Sequence, residues 1–420
     1  MKSTVLLSLA SVAIASPAGH WGWDMHSSLS SATATAPAPP AYTSGIAPNN
    51  APSSAGLKNA TVGVSRGGKA VCVDGYISVF AQTTKNVKFD FAVPANISVV
   101  TDTFLKFVTS GSPFLKDINK GQQTVGGTYD IRATFCTPKD NLKPTAVQLL
   151  THGIGFDRSY WDFAAGYSYV DAAAAHGYAS LFYDRLGVGQ SAQADPIQVI
   201  QAPLEVEIAH TIATMLRNGS ISNNKFNEIV GVGHSFGSII SSAVTGLYPS
   251  AFDAAILTGF SANSSAIGVF TTGNNFDIAA QNNPARFGKL NNAYLVGNSI
   301  ISTQTGFFRL PEFDATVLKT ADATKQTVTF GEFFTQGAVG GAAPGFKGPV
   351  AVVNGDADLP FCFGNCSYPT NLAAAVKSAY PNAVAFDSYL APSTGHGLNL
   401  HYTAEAAYEF IQRFLGHNGL

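Results

Sequence analysis

Gly233-His234-Ser235-Phe236-Gly237 sets a serine between two glycines, each two residues away. The run Glu228 to Val232 before it reads as a buried strand, and Ser238 to Leu247 after it reads as a helix that Pro249 closes. A strand, a sharp turn and a helix in that order hold the serine at the tip of the turn. Side chains two residues to either side would strike the crossing strand or helix, so Gly233 and Gly237 are what permit the turn. Ser235 is the candidate nucleophile, with the first N–H groups of the helix aimed at whatever its oxygen attacks.

A serine hydroxyl is a poor nucleophile at neutral pH and needs a base, which in turn needs an orienting carboxylate. Among nine histidines, His396 in Ser393-Thr-Gly-His-Gly-Leu398 follows the last expected strand and precedes the last helix, where a base can reach the serine. His401 is the runner-up, read more simply as a capping or surface contact of the final helix. His234 is expected to point away from the site. His152 opens a loop after an earlier strand, His210 falls on a helix, His176 ends one, and His20, His26 and His417 lie near the termini. The acid comes from the strand Pro349 to Val353, which runs into Asn354-Gly-Asp-Ala-Asp-Leu359. The third residue after the glycine is Asp358, which leaves Asp356 as a turn residue satisfying local N–H groups. Attack on a carbonyl makes an oxyanion, and its donors are expected to be the backbone N–H of Phe236 and that of Ile154 in Thr151-His-Gly-Ile-Gly155. The chain order Ser235, Asp358, His396 is that of acyl transfer on a strand-turn-helix scaffold.

These groups must converge at strand ends. Ala146 to Leu150, Ala179 to Tyr183, Glu228 to Val232, Ala254 to Leu257, Pro349 to Val353 and Ala383 to Tyr389 are unbroken apolar runs separated by helical segments. Leu204, Ile208, Ile212, Met215 and Leu216 mark one apolar helix face, and Ala404 to Leu415 reads as a last helix between a Thr403 cap and a stop at Gly416. Strands buried on both faces and alternating with helices predict an α/β fold: a mostly parallel central sheet flanked by helices, with the chemistry at the carboxyl ends of the strands. Alternating stretches such as Val87 to Val93 and Tyr129 to Phe135 predict half-exposed antiparallel strands ahead of that core. No role is assigned to residues 57–140. Residues 262–347, rich in Asn, Gly and aromatics, are too long for a structureless loop and predict a helical lid inserted between the sixth and seventh strands. Its aromatics form either the lid's own core or the lining of an apolar pocket. The expected division is then 1–16, 17–56, a core over 57–261, the lid, and the rest of the core over 348–420.

Met1-Lys2, the apolar stretch Val5 to Ala15 and the small residues that end it have the form of an export signal, and residues 17–56, rich in Ser, Thr, Ala and Pro, read as a leader or linker with Trp21 and Trp23 as its exceptions. Secretion to an oxidising compartment suits four cysteines: the Cys362-Phe-Gly-Asn-Cys366 spacing favours a local loop, which leaves Cys72 with Cys136. Asn59, Asn96, Asn218, Asn263 and Asn365 are glycosylation candidates. At 12% charged residues and a net charge of -2 the chain has no basic stripe for nucleic acid, and no later apolar run is long enough for a stable membrane anchor. HExxH, paired CxxC and phosphate-loop patterns are absent, so no metal or other cofactor is expected.

With His152-Gly153, Tyr183-Asp-Arg-Leu-Gly-Val-Gly-Gln-Ser191, the serine turn, Gly355-Asp-Ala-Asp358 and Gly395-His-Gly397, the chain resembles a secreted member of the α/β-hydrolase superfamily over about residues 145–415. It is most similar to fungal exported members with a comparable leader. The resemblance implies a Ser235, Asp358, His396 triad, acyl transfer through a serine ester, and a structural role for Asp184 and Arg185. The expected partner is a small-molecule ester with an apolar acyl or aromatic part. Competing expectations are amide cleavage, as in proline-releasing aminopeptidases, lyase chemistry on the same triad, and a non-catalytic binding protein on this scaffold.

Overall fold

The apolar runs form the parallel part of a nine-stranded sheet in a computed structural model, which describes residues 51–263 and 265–420. The export signal, Trp21, Trp23 and the leader up to residue 50 lie outside the described residues. The strands are β1 Lys58–Val64, β2 Ala70–Phe89, β3 Asn119–Pro138, β4 Ala146–Thr151, β5 Ala179–Tyr183, β6 Glu228–His234, β7 Ala254–Thr258, β8 Val350–Gly355 and β9 Phe386–Ala391, in the spatial order β1-β2-β3-β5-β4-β6-β7-β8-β9. From β5 across to β9 every pairing is parallel, and β1, β2 and β3 add antiparallel strands at one edge. β4, β5, β7 and β8 are buried along their whole length because helices cover both faces of the sheet.

Helix Ala202–Asn218 buries Leu204, Ile208, Ile212 and Leu216 and ends on Gly219 in the left-handed region at φ 82°. Helix Phe236–Leu247 starts directly after the serine, two residues earlier than expected. Two local expectations fail. β9 begins at Phe386 rather than Ala383, because Ala383 N–H closes a turn on Tyr380 O and Val384 N–H goes to Lys347 O. The last helix runs Ala404–His417, past Gly416, and Thr403 does not cap it: its hydroxyl is paired with that of Thr394 at 2.5 Å.

β2 and β3 form a long two-stranded ribbon, cross-linked at the paired positions Cys72 and Cys136. Between them, helices Ile97–Val108 and Phe114–Ile118 form an arm. Its Phe104 and Phe107 rings pack on Phe333, and Phe91 and Phe114 pack on Phe334, so the arm supports residues 262–347 from one side. That interval is not purely helical. Besides short helices it holds a three-stranded antiparallel sheet of Asp277–Ile278, Tyr294–Val296 and Val328–Thr329, a pattern too short for periodicity to betray. At the other end of the chain, Pro52 is already buried and Ser222 N–H donates to Ala55 O.

Candidate active site

Ser235 stands at φ 57°, ψ -120°, in the left-handed half of the map that a residue with a side chain rarely occupies. The surroundings hold it there. Gly233 pairs with Thr151 of β4 and Leu257 of β7, and Ser235 N–H donates to Thr258 O. A Cβ on Gly233 would lie 2.4 Å from Gly237 O, and one on Gly237 would lie 2.0 Å from Thr151 O. Both glycines are therefore required by backbone crossing, as the spacing implies.

The other two members arrive from the ends of β8 and β9. His396 Nε2 lies 2.8 Å from Ser235 Oγ, and His396 Nδ1 lies 2.6 Å from Asp358 Oδ2. With Nδ1–H donating to the carboxylate, Nε2 is left to accept the serine proton. Asp358 Oδ1 accepts Phe361 N–H at 3.0 Å, capping helix Leu359–Cys362, and the Cys362–Cys366 disulfide closes the same loop. Asp356 instead accepts Thr394 N–H, tying the acid loop to the histidine loop. The structure thus brings Ser235, Asp358 and His396 into one hydrogen-bonded chain.

His401 is buried, not a surface contact. Its Nδ1–H donates to Gly397 O and its Nε2 faces the N–H groups of Arg309 and Gly395, while burial lowers its pKa to about 4. It is a neutral strut of the histidine loop. His234 does not point away from the site: its ring is sandwiched between Tyr160, at 4.4 Å, and His396, at 4.9 Å. Thr258 donates its own proton to Gly233 O and so accepts from His234 Nδ1–H. Burial, with the charge His396 can carry, holds the His234 pKa well below the usual value, and the ring is a neutral wall behind His396. His152 is neutral because of burial and the neighbouring Arg185 charge, which lower its pKa well below the usual value, and it accepts Arg185 N–H on Nε2 while donating from Nδ1 to Gly153 O.

Ile154 and Phe236 are both buried at the wall of a cavity beside Ser235, and among the described residues the backbone N–H of neither donates to a protein acceptor. Both N–H groups are thus left open to an acceptor beside Ser235, the geometry a donor pair for an oxyanion would need. The cavity itself is about 10 Å³, room for about one water molecule, and Ile239, Ile267, Phe270, Phe333 and Phe361 close it. Of the insertion's aromatics, Phe270 and Phe333 line it, and Phe307 stacks on His396. Phe308 and Phe313 pack on His401, Tyr294 OH donates to Ala194 O, and Phe276, Phe330 and Phe334 pack on the arm.

One cluster escapes sequence reasoning. Arg185 Nη1 donates to Glu205 at 2.7 Å and to Glu332, all three buried, and the guanidinium lies 4.7 Å from the centre of the Phe236 ring. The capping-box spacing of Thr329 and Glu332 was the available signal for part of it. Asp184, next in the chain, accepts from Arg158 and Gln190 and holds the loop after β5. Among the glycosylation candidates Asn59, Asn96, Asn218 and Asn365 are exposed and Asn263 is half-buried. No helix among the described residues is long and apolar enough to cross a membrane.

The alpha/beta hydrolase family model matches residues 148–409. Solved structures similar to the chain include a thermophilic esterase from Thermogutta terrifontis with malate bound, at 15% identity over 69% of this chain and 94% of that one with a TM-score of 0.47. A bromoperoxidase from Bacillus anthracis matches at 18% identity over 69% and 96%, with a TM-score of 0.47. An alpha/beta hydrolase from Penicillium sp. sh18 matches at 15% over 69% and 94%, with a TM-score of 0.47. No curated protein matches the chain.

Proposed function

The chain belongs to the alpha/beta hydrolase family, and from that premise we propose that it is an exported serine hydrolase that cleaves a carboxylic ester with a short, apolar acyl group. The observation that carries the reading is His396 bridging Ser235 and Asp358 at 2.8 Å and 2.6 Å. Ser235 Oγ attacks the ester carbonyl as its proton passes to His396 Nε2, and the imidazolium so formed is held by Asp358. The carbonyl oxygen becomes an oxyanion within reach of Ile154 and Phe236 N–H. Collapse breaks the bond to the alcohol, which leaves with the proton from Nε2, and an acyl-serine remains. Water then repeats the sequence: His396 takes its proton, its oxygen bonds the acyl carbon, and Ser235 leaves with the proton restored.

Two observations favour an ester over a peptide amine as substrate. The residues lining the cavity include no carboxylate that could pair with a free α-amine, and apart from Ser235 and Gln336 its walls are aliphatic and aromatic. Room for about one water molecule beside Ser235 argues against a long acyl chain. Export is supported by the two disulfides and the amino-terminal sequence.

The test is hydrolysis of p-nitrophenyl acetate, butyrate, octanoate and palmitate by the purified protein and by its Ser235→Ala variant. The expected outcome is fastest turnover of acetate or butyrate and a loss of roughly a thousandfold or more in the variant. Turnover of proline p-nitroanilide faster than any ester would replace ester with amide cleavage.

A further inference from the structure

A second cavity, of about 540 Å³, shares no lining residue with the one at Ser235. It falls within the usual size range of small-molecule sites. Its walls come from the edge strands, the loops after β4 and β5, and the insertion, and they carry four arginines, Arg66, Arg132, Arg158 and Arg286, against two carboxylates, Asp74 and Asp157. The carboxylates are already engaged. Asp74 pairs with Arg132 and with Arg158, and Arg158 also pairs with buried Asp184. Asp157 accepts from Ser159 and from Gln326 Nε2 at 2.7 Å, not from an arginine.

Two cations are therefore left over. Among the described residues neither Arg66 nor Arg286 forms an ion pair. Arg286 donates only to main-chain carbonyls, those of Ala323, Thr324 and Lys325 at the end of helix Ala315–Thr324. Among the described residues the Arg66 guanidinium has no hydrogen-bond partner, and its buried Nε, like that of Arg132, is unsatisfied. Asp162 and Asp157 act on Arg66 and Arg286 only at a distance, without a direct ion pair. A partly desolvated guanidinium so placed is costly, and the donors Arg66 leaves open on the cavity wall match the oxygens of a carboxylate or phosphate. We propose that this cavity binds a small organic anion, a carboxylate or a phosphate or sulfate ester, whose charge is met by Arg66 and Arg286.

Calorimetric titration of the whole protein with citrate, glucose 6-phosphate and inorganic phosphate, at an ionic strength held constant with sodium chloride, tests this. The expected result is one-to-one binding of at least one organic anion, weakened about tenfold or more in Arg66→Gln, whose side chain breaks no internal hydrogen bond on replacement. Citrate binding above glucose 6-phosphate assigns a carboxylate ligand, and the reverse assigns a phosphoryl one. Thermal unfolding of Arg66→Gln checks that its fold is intact. Absence of binding by all three at millimolar concentration, or equal affinity in wild type, Arg66→Gln and Arg286→Gln, overturns the proposal.

Discussion

At the triad each oxygen of Asp358 has one partner, His396 Nδ1 on Oδ2 and Phe361 N–H on Oδ1. An amide at this position can keep one of those contacts only by presenting the wrong group to the other. Asp358→Asn is therefore expected to lower kcat for p-nitrophenyl butyrate by roughly a thousandfold or more. Asp356→Asn should cost no more than about tenfold, since that side chain holds Thr394 N–H and touches no triad member. A larger loss in Asp356→Asn than in Asp358→Asn would reverse the assignment of the acid. The spacing after Gly355 made Asp358 legible in the sequence, but nothing local could reveal that His234 stands behind His396. Its position depends on Thr258 and Tyr160, which are 24 and 74 residues away in the chain.

The turn that carries Ser235 and the arm that backs Phe333 act as elements. In the turn, a methyl group on Gly237 has nowhere to go, with Thr151 O at 2.0 Å and His152 O at 2.8 Å. Gly237→Ala is expected to destabilise by about 3 kcal/mol or to prevent soluble expression, measured by denaturant unfolding. The arm supports a wall of the cavity from behind, because Phe104 and Phe107 pack on Phe333 and Phe333 faces the space beside Ser235. Truncating both to alanine should cost roughly 2 kcal/mol for each side chain and let Phe333 retreat. The ratio of kcat/KM for octanoate to that for butyrate should then rise severalfold above wild type. An unchanged ratio in a folded double variant would confine the arm to stability.

At the scale of the molecule, the insertion is joined to the core through a buried charge cluster with one cation and two carboxylates. Burial first, and then the neighbouring Glu332, raise the pKa of Glu205 to about 8 in spite of Arg185. The sign follows from linkage. Between about pH 4.5 and 8 the unfolded chain has released this proton and the folded chain still holds it, so this group's contribution to stability is complete below that window and declines as pH rises through it. The melting temperature of wild type should therefore fall by several degrees more across this window than that of Glu205→Gln, which has no proton to lose. Parallel curves for the two proteins would remove Glu205 as the source.

Short-range rules determined a good part of this protein from its sequence. Backbone crossing at a tight turn demands glycine at two positions, apolar runs between helices demand a parallel sheet, and a four-residue cysteine spacing closes on itself. Each is enforced within a few residues or by a repeating pattern. Only the tertiary structure decided what depends on distant segments meeting: Arg185 between Glu205 and Glu332, the arm on Phe333, the three short strands of the insertion, and the narrowness of the cavity at Ser235. A side chain's identity says which partner it can satisfy, but which partner comes within reach is set by how the whole chain packs.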